Sequence, residues 1–224
     1  QIYLPEYFPD RIAKSFHPEQ DKDILYWDFS GEVCEKVKVQ IEFLLNHIVK
    51  NIRSREERRN QYLLPLKFLF QYTKETKISD LLELENNDEQ EYAFLLKAQT
   101  GKLCGSPGRF IVFCRRELFL AEKEPAWHAN VWYVGGLNIS PERQAKGSVI
   151  QSFSFLDILI QENRTAFQEY IKYLFCITGQ SVGTIRIRHM YARELLRYLE
   201  GKNMTVSNID TQTVKKYFNH LDTQ

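Results

Sequence analysis

The sequence predicts an all-α protein built from two helical units, and three observations carry that reading. Apolar residues recur at helical spacing through two separate stretches. Gly and Pro are scarce, at 10 and 7 of 224 residues, which favours long regular elements over tight turns. Helix-start signals fall at matching places in the two stretches. With 43% apolar and 26% charged residues, the composition is that of an ordered globular chain rather than a disordered one.

Residues 1–30 carry Pro5, Pro9 and Pro18 among aromatics without a period. They read as an extended arm packed by Tyr3, Tyr7, Phe8, Trp27 and Phe29. Residues 31–100 form the first helical unit. Val37, Ile41, Leu44, Leu45 and Ile48 stripe a helix from Glu35 to Ile52. Ser54-Arg-Glu-Glu57 fits a capping box, in which the Ser and Glu side chains satisfy amides at a helix start. That second helix is expected to reach about Lys74, with Tyr62, Leu66, Leu69 and Phe70 inward and a kink at Pro65. A third helix follows Leu81 and carries Tyr92, Phe94, Leu95 and Leu96.

Residues 101–160 read as an irregular, aromatic-rich connecting segment. Gly105-Ser-Pro-Gly108 is a turn signal. Phe110 to Glu122 suits a helix, although Phe110 to Phe113 also suits a strand. Trp127, Trp132 and Tyr133 belong to a loop, and Gln151 to Ile160 is expected to be helical.

Residues 161–224 repeat the first pattern. Phe167, Tyr170, Ile171, Leu174 and Phe175 stripe a helix ending near Gly179. Ser181 opens the next, with Val182, Ile185, His189, Ala192, Leu195, Leu196 and Leu199 inward and Gly201 at its end. Asp210-Thr-Gln-Thr leads into a last helix with Val214, Tyr217, Phe218 and Leu221 inward. Phe43 precedes Ser54 by the interval at which Tyr170 precedes Ser181, and Glu42 matches Glu169. Tyr72 and Tyr92 fall within one or two residues of the places that Tyr198 and Tyr217 predict.

Net charge is +1, so the global balance selects no partner, and distribution matters more than the sum. From Lys50 to Lys77 there are eight Lys and Arg against three acids, whereas Asp80 to Glu91 is acidic. Cys34, Cys104, Cys114 and Cys176 are widely spaced, with no C-x-x-C pair. That spacing argues against a disulfide framework and a zinc site, and for isolated buried thiols in a reducing cytoplasm. No apolar run reaches the roughly 20 residues that span a bilayer, and the first residues do not form a signal peptide. No P-loop, H-E-x-x-H or G-x-S-x-G sequence is present, so nothing here points to a cofactor, a metal or a self-contained enzyme.

Several pieces of the C-terminal stretch carry a resemblance. They are Phe167-Gln-Glu-Tyr-Ile-Lys-Tyr-Leu174, Ser181-Val-Gly-Thr-Ile185, Leu195-Leu-Arg-Tyr-Leu199, Val206-Ser-Asn-Ile209 and Val214-Lys-Lys-Tyr-Phe218. In order and spacing they resemble the SAM-like core-binding domain of the tyrosine recombinase (phage integrase) family. Trp127 to Trp132, Phe153 to Phe155 and Asn163-Arg164 look like the larger, transposase-like branch. The resemblance implies a DNA-gripping bundle for integration and recombination, self-association with other recombinase protomers on DNA, and a catalytic domain that would follow. The chain stops where that domain would begin, so no catalytic role is carried over. Arg188-His-Met-Tyr191 lies inside the core-binding helix and reads as structural.

A duplex binder needs cations on one face, with hydroxyls and helix N-termini assisting. The Ser181 helix offers Thr184, Arg186, Arg188, Arg193 and Arg197, and the last helix adds Lys215 and Lys216. The first unit offers Arg53, Arg55, Arg58 and Arg59, among which Glu56 and Glu57 are placed to neutralise charge. The competing reading is a helical protein–protein interaction module that does not bind DNA.

Overall fold

The computed structural model describes residues 1–101, 107–144 and 150–222. Its architecture is all-α, with two short two-stranded ladders. The chain divides into two compact units, Gln1–Ala121 and Glu122–Gln224, so residues 101–160 are shared between them rather than forming a separate connector. Cys104 and the first two residues of the turn expected at 105–108 lie outside the described residues, and the other two open a helix.

Unit 1 is organised by α4 (Glu35–Asn51), whose Val37, Ile41, Leu44, Leu45 and Ile48 are fully buried, as their spacing requires. Ser54 then caps the next rod, its Oγ accepting the Glu57 N–H at 3.4 Å. The rod runs as α5 (Arg55–Glu57), a π-helical stretch over Arg58–Leu63 and α6 (Leu64–Thr76). Where a kink was expected at Pro65, the chain widens just before it. The Leu64 N–H reaches back five residues to the Arg59 carbonyl. Pro65 has no N–H to offer and its ring would press on the preceding turn, so a wider turn there relieves the conflict. A 3-10 turn at Leu81–Glu83 leads to α7 (Asn86–Thr100), which buries Tyr92 and Leu96 and leaves Phe94 72% exposed. α8 (Pro107–Ala121) is a helix throughout and settles the strand alternative at Phe110 to Phe113. It packs on α4, α7 and the 3-10 turn through Phe110, Ile111, Cys114 and Leu118.

The N-terminal segment is not an extended arm. β1 (Ile2–Tyr3) pairs antiparallel with β2 (Tyr26–Trp27), and between them lie α1 (Leu4–Tyr7), α2 (Asp10–Ala13) and α3 (Lys22–Leu25). Leu4, Phe8, Phe16, Ile24, Leu25 and Trp27 are buried, so hydrophobic burial folds the segment back despite its prolines.

Unit 2 begins with β3 (Val131–Tyr133), paired antiparallel with β4 (Ser152–Ser154). The helix expected over Gln151 to Ile160 is therefore a strand and a turn. Alternation puts Phe153 and Phe155 on one side, both fully buried against Phe175, Phe167 and His189, and strand pairing follows from that sidedness. α9 (Gln161–Cys176) and α10 (Val182–Glu200) form a helical hairpin. A 3-10 turn at Val206–Asn208 leads to α11 (Thr211–Leu221), whose Asp210 side chain caps it through the Thr213 N–H at 2.7 Å. No residue of α11 is buried, although Val214, Tyr217, Phe218 and Leu221 were expected inward. Of the cysteines described, Cys114 is buried, and burial pushes its thiol well above the usual range. Cys34 and Cys176 are exposed, unlike the buried thiols expected. No helix among the described residues is long and apolar enough to cross a membrane.

Candidate nucleic-acid interface

α10 starts where its sequence says it should. Ser181 Oγ accepts the Thr184 N–H at 3.2 Å and pairs with Thr184 Oγ1 at 3.1 Å. Thr184 is exposed, but its hydroxyl is engaged in this cap. From there the helix presents three sides at 3.6 residues per turn. Val182, Ile185, His189, Leu196 and Leu199 face the core. Arg186, Arg193 and Arg197 share one flank, while Arg188, Tyr191 and Leu195 share the other.

On the first flank, Arg186 is exposed, and its guanidinium lies 5.9 Å from the centre of the Phe153 ring. Arg193 pairs with Asp157 and Glu194, and Arg197 with Glu194, all at 3.5 Å. Ion pairs this long and this wet contribute under about 1 kcal/mol, so a phosphate could draw either arginine away from its carboxylate. Lys215 and Lys216 are exposed on α11 and have no acidic partner among the described residues. Arg188 is equally unpaired among them, yet it lines an apolar groove rather than the arginine flank.

The arginines of unit 1 are used differently. Arg58 is 4% exposed, donates to Ser15 Oγ at 2.7 Å and the Ile52 carbonyl at 3.3 Å, and stacks 4.9 Å over Phe16. Burial lowers its pKa. Arg55 binds Asp21 at 3.1 Å and Gln20 at 2.8 Å. Arg59 bonds Asp23 and Asn60, each at 2.7 Å, and the Gln20 carbonyl at 3.0 Å. Asp21, itself 1% exposed, draws on both Arg55 and Arg59. These three arginines fasten the N-terminal segment to the π-helical rod, and buried Arg58 has no face left for a phosphate. Arg53 alone of the four is exposed without a recorded partner among the described residues.

Other polar residues singled out in the sequence also prove structural. Asn163 is fully buried, with Oδ1 accepting the Val206 N–H at 2.8 Å and Nδ2 donating to the Met204 carbonyl at 3.1 Å. Arg164 donates to the Ile158 carbonyl at 2.8 Å. Arg143, which sequence reading passed over, donates to the carbonyls of Phe175 at 2.9 Å and Gln180 at 3.0 Å. It thereby satisfies groups left open at the end of α9. Of the Arg188 to Tyr191 quartet, His189 is in the core and Arg188 and Tyr191 line the groove. That groove, about 560 Å³ between α9, α10 and α11, was not anticipated. Its signal was the α11 stripe, read as facing a core.

The chain matches no family model, no curated protein and no solved structure.

Proposed function

We propose that unit 2 binds duplex DNA, and that the chain is the DNA-gripping portion of a site-specific recombinase of the tyrosine type. The observation that carries this reading is the Arg186, Arg193 and Arg197 flank of α10. It lies off the core-facing side of the helix and is held by ion pairs at 3.5 Å, the one from half-buried Arg193 to Asp157 included, and by the contact of Arg186 with the Phe153 ring. Guanidinium groups bind phosphate oxygens bidentately, and cations about one helical turn apart can follow a backbone strand. Lys215 and Lys216 add charge on the neighbouring helix. In this reading the cationic residues of unit 2 hold phosphates and set orientation, and the chain supplies grip rather than bond-breaking chemistry. Protomers assemble with one another on the DNA, and the protein works in the cytoplasm.

Retention on duplex DNA tests it. The chain is expected to bind a mixed-sequence duplex at low salt and release it as salt rises, because each phosphate contact displaces a counterion. Failure to bind duplex DNA at any ionic strength contradicts the proposal.

A further inference from the structure

The outer side of α10 carries a feature that phosphate binding does not use. At 3.6 residues per turn, Gly183, Ile187, Met190 and Glu194 fall on one ridge, opposite the core-facing Ile185, His189 and Leu196. Ile187 is 53% exposed and Met190 44%. Gly183 opens the ridge. A Cβ added there would meet only Ser181 Oγ, at 3.8 Å, so packing within the chain does not ask for a glycine, which helices disfavour. Arg186, Arg193 and Arg197 run along one border of the ridge.

Single exposed apolar residues are ordinary. Two of them in line with a bare stretch of backbone, bordered by three guanidinium groups, call for a complement that is anionic at its margin and apolar at its centre. The major groove of duplex DNA has that character. Phosphates wall it, its floor presents the C5 methyl of every thymine, and at about 12 Å wide it admits an α-helix. With no side chain at Gly183, the first turn of α10 can approach the base edges closely. Glu194 ends the ridge, because its carboxylate already pairs with Arg193 and Arg197 and is repelled by the phosphate walls. The part that enters the groove therefore stops at Met190.

We propose that α10 enters the major groove with Ile187 and Met190 against thymine methyl groups. The arginine flank then sets register on the phosphates and carries no sequence information, and the ridge supplies a preference for thymine. This inference rests on the DNA reading above and adds what the bases contribute to it.

Two duplexes of equal length test it with the full chain. One alternates adenine and thymine, and the other has uracil at every thymine, which keeps the charge and the base pairing and removes only the methyl groups. Wild type is expected to bind the uracil duplex more weakly, by about fourfold for each methyl that loses its contact. Ile187→Ala/Met190→Ala should bind the thymine duplex no better than the uracil duplex. Arg186→Ala/Arg193→Ala should weaken binding to both duplexes by a similar factor and keep the preference. All four positions lie off the buried core, and circular dichroism shows that the variants fold. Equal binding of the two duplexes by wild type, or a preference that survives in Ile187→Ala/Met190→Ala, overturns this inference and leaves the DNA reading standing. Binding to neither duplex at any ionic strength overturns both.

Discussion

The imidazole Nε2 of His189 lies 3.0 Å from the main-chain oxygen of Ser154, tying α10 to β4. A carbonyl only accepts, so Nε2 carries the proton, and Phe153, Phe155 and Phe167 surround the ring. Burial, reinforced by the nearby Arg186 charge, pushes the His189 pKa down to about 4. The folded state therefore resists protonation while the unfolded chain protonates near 6.5. Stability is unaffected by this group above that pH, falls as pH drops from about 6.5 to 4, and levels off below. The loss is on the order of 3 kcal/mol. Urea unfolding of unit 2 between pH 7 and pH 4 should follow this course, and His189→Leu should remove that contribution. A His189 titration by NMR at or above 6.5 would refute it.

Arg58 gives a second expectation, on stability rather than binding. Arg58→Ala removes charged hydrogen bonds to Ser15 and Ile52 and the stack on Phe16, and should cost about 2 kcal/mol. Arg58→Lys should recover only part of this, because an ammonium cannot reproduce the planar fork. Arg53→Ala, at an exposed position, should shift the urea midpoint hardly at all. Equal effects of Arg58→Ala and Arg53→Ala would show that the buried contacts do not hold the N-terminal segment.

Asn163 offers a contrast between two small substitutions. Asn163→Ala leaves the Val206 N–H and Met204 carbonyl unpaired, at about 2 kcal/mol. Asn163→Asp preserves the acceptor but loses the donor and places a carboxylate beside Glu200, whose Oε1 lies 3.5 Å from Nδ2. Glu200 is itself fixed by the N–H groups of Leu159 and Ile160, at 2.9 and 2.8 Å. The Asp variant should therefore melt lower than the Ala variant at neutral pH. The reverse order would mean that the Glu200 charge is not felt at this position.

What the sequence disclosed and what it hid follow the range of the interactions concerned. Helices α4, α9 and α10 were legible because their apolar stripes are local signals, as are the Ser54 and Ser181 caps that open α5 and α10, although Ser54 caps without the reciprocal Glu57 bond of the expected box. The 151–160 stretch was misread because a short apolar run has no period that separates strand from helix, and only pairing with Val131–Tyr133 decides it. The N-terminal segment was misread because its order depends on distant partners, such as Arg58 for Ser15. The same holds for function. Arginines at helical spacing look alike in sequence, yet Arg58 is spent on the core of its unit and Arg186 is not. A stripe such as Val214 to Leu221 records that something apolar is met, without recording whether it is the chain's own core.

The central claim rests on the arginine flank of α10, and binding across a salt series measures it most directly. Wild type and the Arg186→Ala/Arg193→Ala double variant are compared on one duplex at several ionic strengths, with circular dichroism to show that both are folded. Losing two phosphate contacts should weaken binding throughout and flatten the slope of log affinity against log salt by about two units. Equal affinities and equal slopes would contradict the account and leave this flank as solvated surface.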